Sequence, residues 1–392
     1  MSITLTDIQF LQSELGQELL LELEHEDLSQ QALLALVTRL RKNYDPNQIN
    51  SAITMAQLRY KAIDKFGDIA RQLLFTDDAL QQASDAHIRT YRTQNVSGLH
   101  VLDVCCGIGT DSIAFAQAGA IVHGIDYDET RIAIARHNAD ILKLDIRFDC
   151  VDANDFLVTD ANDLVFFDPA RRNNQGQRIY DVEQYIPALS LIKTWQAPRI
   201  MVKISPGVDL DQLQSYDATV EFISVEGNLK EAVLHLPKTK TLIATKIDTL
   251  GVRQWINHNE SVSVALSEPY GWLCEPDATI LRAGLVQDVA QSLNGTMLDT
   301  TIAYFCTPQN PDSSWVRAWK IREWLPFNLK KLRAKLRAMD IGTLTVKKRG
   351  SPITPEELIR KLKLKGKKSA TVVLTRYDNA PIAIICDDIH VG

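Results

Sequence analysis

The sequence has few of the features that mark secreted, metal-binding or membrane proteins. Its six cysteines form no CxxC pair and no regular spacing, which argues against a zinc site and against a disulfide framework. No stretch approaches the roughly 18 uninterrupted apolar residues of a membrane span, and the amino terminus shows no basic segment followed by an apolar core. We therefore expect a cytoplasmic protein that binds no metal and no membrane.

The composition is otherwise that of an ordinary globular protein. Apolar residues make up 45% of the 392 residues and charged residues 23%. Such a chain can bury enough apolar surface to offset its conformational entropy, which excludes disorder throughout. At about 150 residues per domain, the length suggests two or three domains.

Charge is distributed unevenly along the chain. Residues 320–392 contain 17 Lys and Arg against 7 Asp and Glu, so this segment carries +10 while the preceding residues carry −16. A basic module joined to an acidic body is expected when one part binds a polyanion and another part carries out chemistry. A solvated basic helical face would give the same count, so the partner stays open at this point.

Hydrophobic periodicity divides the chain into successive segments. Residues 1–95 place apolar residues three and four apart, which indicates helices, whereas residues 96–239 alternate seven short apolar strands with helix-compatible segments. That alternation predicts a parallel, doubly wound sheet with helices on both faces. The sixth and seventh strands are joined only by the EGNLKE turn, which is too short for a crossover helix, so the seventh strand should run antiparallel.

The carboxyl-terminal part of the sequence predicts smaller α+β units. In residues 240–318 we expect strands, SVSVALSE among them, and one helix over ATILRAGLVQDVAQSL. Residues 319–392 predict a basic unit of two helices and three strands, in which Thr354 caps a helix that begins at Pro355.

A glycine turn followed by an acidic residue is the first functional motif. The segment VLDVCCGIGTDSIAFA predicts a strand, a turn with Gly107 and Gly109, and a helix, and the next strand ends in Asp126. Such a turn lets backbone N–H groups approach a ligand, and the carboxylate can accept both hydroxyls of a ribose. Dinucleotide binders and S-adenosylmethionine binders share this pattern. Ser112 in place of the third glycine, together with the antiparallel seventh strand, favours the second class.

Four motifs in order carry a family resemblance: VLDVCCGIG, HGIDYDE, DCVDANDF and VFFDPARR. Over residues 97–238 the chain resembles the class I S-adenosylmethionine-dependent methyltransferases. Within them it is most similar to RNA methyltransferases with a THUMP-like module at the carboxyl end. The resemblance implies an α/β fold with a seven-stranded Rossmann-like methyltransferase sheet and four domains. These are a helical domain (1–95), the methyltransferase domain (96–239), a ferredoxin-like α+β domain (240–318) and a basic THUMP-like domain (319–392).

The resemblance also assigns residues to the cofactor, S-adenosylmethionine. Asp103 and the turn from Cys106 through Gly107 to Gly109 would face its methionine part, Asp126 would hold its ribose, and Asp152 with Ala153 would meet its adenine. Structural roles compete with these assignments, because an acid at a strand end commonly caps the following turn or helix. Packing is the alternative role for Cys106.

A reactive edge is predicted where the fourth strand ends. Asp168 can accept an N–H bond from an amine and leave its lone pair facing the methyl group, and Pro169 would keep the turn rigid. The related enzymes have (Asp/Asn)-Pro-Pro-aromatic here, whereas this chain has Ala170 and Arg171. The Arg171 guanidinium can still stack on a base or bind phosphate, and the adjacent Arg172 adds charge.

Covalent activation of uracil is disfavoured, although DPxR motifs also occur in uracil-C5 methyltransferases. Those enzymes need a cysteine nucleophile after the fifth strand, and that region here reads VKISPG. Further contacts to RNA are predicted at Lys203, which ends the fifth strand, and at Lys347, Lys348 and Arg349 in the segment LTVKKRG.

These features together predict methyl transfer to a base nitrogen of RNA, tRNA or rRNA, by direct in-line displacement. The predicted catalytic residues are Asp168, Pro169 and Arg171. Two other functions stay open: methylation of a small molecule or a protein, and a non-catalytic RNA-binding role with a remnant cofactor fold.

Overall fold

The computed structural model describes residues 3–172, 175–239, 242–256 and 262–388. Its α-helices are α1 (Leu5–Gln12), α2 (Glu14–Leu23), α3 (Gln30–Leu40), α4 (Pro46–Phe66), α5 (Asp77–Gln82), α6 (Ala86–Arg92), α7 (Thr110–Gln117), α8 (Glu129–Ile141), α9 (Ala278–Arg282), α10 (Val286–Ser292), α11 (Leu329–Ala338) and α12 (Pro355–Leu362).

Its strands are β1 (His100–Val104), β2 (Ile121–Asp126), β3 (Ile146–Cys150), β4 (Leu164–Phe167), β5 (Ile200–Ile204), β6 (Thr219–Val225), β7 (Asn228–Leu236), β8 (Leu242–Asp248), β9 (Gly251–Ile256), β10 (Trp272–Pro276), β11 (Thr296–Met297), β12 (Phe305–Thr307), β13 (Val316–Pro326), β14 (Ile341–Lys348), β15 (Lys368–Tyr377) and β16 (Ala380–Cys386).

The amino-terminal residues form the predicted helices, α1 to α6. Local signals set their bounds, since Thr4 and Asp7 make a capping box at α1, and Pro46 starts α4 behind the cap Asp45. The apolar faces of these helices form a core that also includes Ile134 of α8. The Asn138 side chain of α8 accepts a hydrogen bond from the Leu74 N–H and donates one to the Leu74 carbonyl, so the helical region is joined to α8 by packing and by hydrogen bonds.

The first sheet has the strand order β3-β2-β1-β4-β5-β7-β6-β8-β9. Strands β1 to β5 pair in parallel, and β7 pairs with β5 in antiparallel register, which confirms the predicted methyltransferase arrangement. Strands β8 and β9, from the segment predicted to form a separate α+β domain, extend the seven predicted strands to nine. Because parallel strands all end at the same edge, the turns after β1, β2, β3, β4 and β5 meet there.

The segments between these strands are less helical than predicted. Regular α-helices follow β1 and β2, but β4, β5 and β6 are connected by 3-10 helices at Val182–Gln184, Leu189–Thr194 and Leu210–Tyr216. The residues after Asp152 form a turn, which the short segment there already allows. Proline at positions 187 and 198 removes two backbone donors from the β4–β5 connection, which opposes a long α-helix there.

The second sheet has the order β11-β12-β10-β13-β16-β15-β14. Strand β13 pairs with β10 along its first half and with β16 along its second half, so the predicted boundary between residues 318 and 319 falls inside one strand. The chain divides into two compact units, with the division falling within β8 and β9. Independent folding of the four predicted domains stays a prediction.

Two local predictions for this second part were wrong. The segment ATILRAGLVQDVAQSL forms α9 and α10 rather than one helix, because Gly284 adopts φ +69° between them. Residues 262–268 of SVSVALSE contain no regular strand, and Leu266 makes only an isolated bridge to Met297.

Within the described ranges, no helix is both long and apolar enough to cross a membrane. The same residues contain no group of three or more His, Cys, Asp or Glu arranged to hold a metal ion. All six cysteines are free thiols.

Candidate active site

The glycine turn after β1 is built on left-handed backbone conformations. Cys105, Gly107 and Gly109 have φ of 62°, 57° and 79°. A Cβ on Gly109 would lie 3.1 Å from side-chain atoms of both Ala135 and Phe148, so this glycine permits close packing as well as the turn. A Cβ on Gly107 would meet nothing within 4 Å, so open space adjoins the backbone there. The turn is therefore packed on one side and accessible on the other.

Asp126 joins this turn to the loop that follows β2. The carboxylate is 3% exposed; Oδ2 accepts a hydrogen bond from the Gly107 N–H at 2.9 Å, and Oδ1 accepts one from the Asp128 N–H at 3.0 Å. Burial raises the pKa of Asp126. Each oxygen keeps a further lone pair with which it can accept a ligand hydroxyl.

Asp103 carries an acceptor atom without a partner. The residue is 1% exposed, and its Oδ2 accepts a hydrogen bond from Ser112 Oγ, which explains why serine replaces the third glycine. Its Oδ1 is buried and has no hydrogen-bond partner in the part of the chain that the structure describes. Burial, reinforced by the nearby Asp111 charge, raises the pKa of Asp103 well above its ordinary value. Such an atom needs a donor, ideally a cationic one.

The remaining predicted cofactor residues lie at the same edge of the sheet or beside it. Asp152 is exposed after β3, and its Oδ1 accepts hydrogen bonds from the backbone N–H and the side chain of Asn154, both at 2.8 Å. Ala153 and Cys106 are buried. Burial raises the pKa of the Cys106 thiol well above its ordinary value, which keeps it neutral and suits a packing role.

The edge after β4 holds a buried ion pair. The Lys203 ammonium donates to Asp168 Oδ2 at 2.7 Å and to the Gln82 carbonyl at 3.3 Å. Asp168 Oδ1 has no partner among the described residues, and about a quarter of the Asp168 side chain is exposed. Lys203, predicted to contact RNA, is instead buried and occupied by these two acceptors, a position that does not suit a surface phosphate contact.

The residues after Asp168 are held in place by backbone pairing. Pro169 is buried, and Ala170 exchanges backbone hydrogen bonds with Ile186. The half-buried Arg171 guanidinium makes no hydrogen bond or ion pair with the described residues, whereas exposed Arg172 donates to the Gly176 carbonyl at 2.8 Å. Arg171 is thus the available cation beside Asp168.

Arg92, which immediately precedes the methyltransferase domain, is a buried arginine whose partners the sequence did not predict. Arg92 of α6 forms ion pairs with Asp111 of α7 and Glu231 of β7, and its guanidinium lies 4.5 Å above the ring of Phe166. Burial alone would lower the pKa of Arg92, but Glu231 and Asp111 raise it above the ordinary value. The available signal was helical spacing, since Arg92 falls four residues after the fully buried Ile88.

The three basic residues predicted in LTVKKRG differ in their availability. Lys347 donates to Glu275 at 2.5 Å and lies 4.5 Å from the ring centre of Trp319, and Arg349 lies 3.8 Å from the same carboxylate. Lys348 is exposed. Glu275 therefore neutralises part of the positive charge that the sequence predicts here.

The parallel strands, the antiparallel seventh strand, the glycine turn and the two buried aspartates define the class of S-adenosylmethionine-dependent methyltransferases. Family models match in the same places: a methyltransferase domain at residues 101–173, a THUMP domain-like module at 316–388, and a domain of unknown function at 4–62.

Three individual proteins are similar to this chain over all or part of its length. An uncharacterized S-adenosylmethionine-dependent methyltransferase of Mycobacterium tuberculosis strain H37Rv is 32% identical over 328 residues, covering 81% of this chain and 90% of its own. The crystal structure of a methyltransferase from Porphyromonas gingivalis W83 superposes with a TM-score of 0.75 at 21% identity, covering 91% and 98% of the two chains. The ubiquinone biosynthesis O-methyltransferase of Coxiella burnetii strain RSA 493 is 44% identical over 66 residues, or 17% of this chain and 28% of its own.

The chain belongs to the S-adenosylmethionine-dependent methyltransferase family that includes the mycobacterial protein. Its cofactor is S-adenosylmethionine.

Proposed function

We propose that the protein transfers a methyl group from S-adenosylmethionine to a base nitrogen of RNA, with tRNA or rRNA as the substrate class. The observation that carries this proposal is the Asp168 carboxylate, which Lys203 fixes through one oxygen and whose other oxygen has no partner among the described residues. We also propose a cytoplasmic location, which six free thiols favour.

The residues of the glycine turn fit this cofactor. The orphaned Oδ1 of Asp103 suits the ammonium group of its methionine part, the open side of Gly107 admits a ligand, and Asp126 retains lone pairs for ribose hydroxyls. Asp152 and Ala153 would hold the adenine. When bound, the cofactor supplies a methyl group on a sulfonium, which needs no further activation by an acid.

Asp168 would align the nucleophile. Lys203 holds the carboxylate in one orientation, so that Oδ1 can accept an N–H bond from an exocyclic amine and direct the amine lone pair towards the methyl group. Pro169 and the Ala170–Ile186 backbone pairing keep the turn in place, and the Arg171 guanidinium is available to stack on an extruded base.

The basic surface for RNA extends beyond the three predicted residues. Between residues 324 and 339 the chain has five Lys and Arg and no acidic residue, and between 358 and 377 it again has none. Arg333 and Arg337 of α11 donate to the carbonyls of Lys361 and Lys363, which sets α11 beside the segment after α12. The two basic stretches therefore form one surface, and we assign phosphate contacts to it together with Lys348.

The lysines after α12 are displayed on a closely packed backbone. Lys363, Lys365 and Lys367 are exposed. A Cβ on Gly342 would lie 1.8 Å from the carbonyl oxygen of Gly366, so only glycine allows the segment to approach β14 this closely. A fixed backbone lowers the entropic cost of presenting these charges to a phosphate chain.

The catalytic proposal is tested with labelled cofactor and total RNA from cells that lack the protein. Label in RNA, identified by nucleoside mass spectrometry as an N-methylated base and abolished by Asp168→Ala, would support it. Label that enters only small molecules or protein would favour the first alternative. Tight cofactor binding without any transfer would favour the non-catalytic one.

Binding of RNA is tested separately, as a function of salt. Lys365→Gln/Lys367→Gln should weaken binding and lower the salt slope by up to about two, since each phosphate contact contributes about 0.7 to 0.9. The exposed pair Arg41→Gln/Lys42→Gln, in the helical region, is the matched control and should change neither. Equal effects in both doubles would refute the assignment of this surface.

A further inference from the structure

A cavity lies within the amino-terminal helical region, among α2, α4 and the segments that follow them. Its volume is about 660 Å³, within the usual range for small-molecule sites. Apolar side chains contribute much of its lining, namely Leu20, Leu23, Leu28, Ala56 and Ile63. Neither the cofactor residues nor the reactive edge contributes to it.

One wall of this cavity contains a buried arginine. Arg59 is 6% exposed; its Nε donates to the Leu73 carbonyl at 2.9 Å and its Nη2 to the Gln72 carbonyl at 3.1 Å. Its Nη1 has no hydrogen-bond partner in the described ranges, and no carboxylate there forms an ion pair with it. The two carbonyls satisfy donors without neutralising the charge.

Arg59 therefore has no ion-pair partner among the described residues. Burial lowers its pKa to about 10, and the attraction of Glu24 offsets this only in part. An arginine in contact with apolar side chains is costly unless an anion approaches it.

The rim of the cavity limits which anions can enter. Glu24 and Asp27 are exposed at the rim, whereas Glu26 is paired with Arg39. Two cations also line the cavity, and each lies 3.7 Å from a carboxylate outside it: Lys61 from Asp77 and Arg71 from Asp68. Glu24 and Asp27 would repel a polyanion such as an RNA backbone but would admit a single charge on an apolar body. Complementarity thus points to one anionic group at Arg59 and a hydrocarbon body against the leucines.

We infer that this cavity binds a small monoanion with an apolar body, in its simplest form a medium-chain carboxylate, whose head group pairs with Arg59. The site is independent of the proposed methyl transfer to RNA. It would be occupied in the absence of both RNA and cofactor.

The experiment uses the full chain, with octanoate as the probe and 1-octanol as its uncharged analogue, in calorimetry at neutral pH. Octanoate should bind saturably to the unmodified protein. Arg59→Gln, which keeps N–H donors, should weaken octanoate binding about tenfold or more, corresponding to about 1.4 kcal/mol, and leave 1-octanol unaffected. Arg41→Gln, an exposed arginine of the same helical region outside the cavity lining, is the matched control and should bind as the unmodified protein does.

Ala56→Phe fills the cavity without changing any charge and should weaken both probes. Arg59→Lys should recover part of the octanoate affinity. The unfolding midpoint of each variant without probe shows whether it is folded, and Ala56→Phe keeps the inference testable should Arg59→Gln fail to fold. Absence of saturable octanoate binding to the unmodified protein, or equal binding by Arg59→Gln, would overturn the proposal.

Discussion

Removing the Arg92 charge tests whether the helical region completes the active site. Arg92→Met keeps the length and apolar stem of the side chain but leaves Asp111 and Glu231 buried without their cation. Removing one partner of a buried ion pair typically costs about 3–5 kcal/mol, so the free energy of unfolding should fall by at least that amount. Affinity for S-adenosylmethionine should fall as well, because Asp111 is among the charges that raise the pKa of Asp103.

Urea denaturation measures the free energy of unfolding, and calorimetry measures the affinity for S-adenosylmethionine. Arg39→Met is the matched control, since its pairs with Glu22 and Glu26 lie at the surface and should contribute little. Adding Glu231→Gln to Arg92→Met should restore part of the lost stability by removing one uncompensated charge. A loss below about 1 kcal/mol in Arg92→Met would refute the reasoning, because it would place the network in the class of exposed pairs.

Three further predictions concern the site itself. Lys203→Met should reduce the methyl-transfer rate by about a hundredfold with little change in cofactor affinity, because Asp168 loses the contact that aligns it. An equal loss of transfer rate and cofactor affinity would contradict this. Cofactor affinity should decline as pH falls through the raised pKa of Asp103, because the protonated acid no longer attracts an ammonium group. Asp103→Asn should bind the cofactor weakly, with an affinity that does not depend on pH in this range. The same pH dependence in Asp103→Asn as in the unmodified protein would refute the assignment. Gly109→Ala should destabilise the protein by about 1–2 kcal/mol through its positive φ, with more from the contacts to Ala135 and Phe148, whereas no change in urea denaturation would show that the turn adapts.

Local patterns were sufficient to predict the strands and the glycine turn. Each of β1 to β7 is a short apolar run, and the role of Gly107 and Gly109 follows from backbone geometry within a few residues. The pairing of Lys203 with Asp168 was not predictable in this way, because it depends on β5 lying beside β4 and on Gln82 from a distant helix. The sequence alone does not show whether a lysine at a strand end is buried in an ion pair or exposed at the surface.

The same limit applies to Arg92 and Glu275. Arg92 meets residues 19 and 139 positions away, and Lys347 meets Glu275 across 72 positions. The net charge of the tail was correct as a sum, but the number of charges available to RNA depends on such long-range pairs. The helix content of the connection after β4 was overestimated for a different reason, since helix-compatible composition does not require an α-helix when prolines interrupt the segment.

Strand β13 has a consequence for deletion experiments. Because it is hydrogen-bonded to β10 on one side and β16 on the other, a protein ending near residue 318 would lose most of a central strand and expose the backbone of β10. Newly exposed strand edges promote self-association. A truncated protein that no longer retained RNA could then be reporting aggregation rather than a missing recognition surface, which is why side-chain substitutions are the safer genetic tool for this protein.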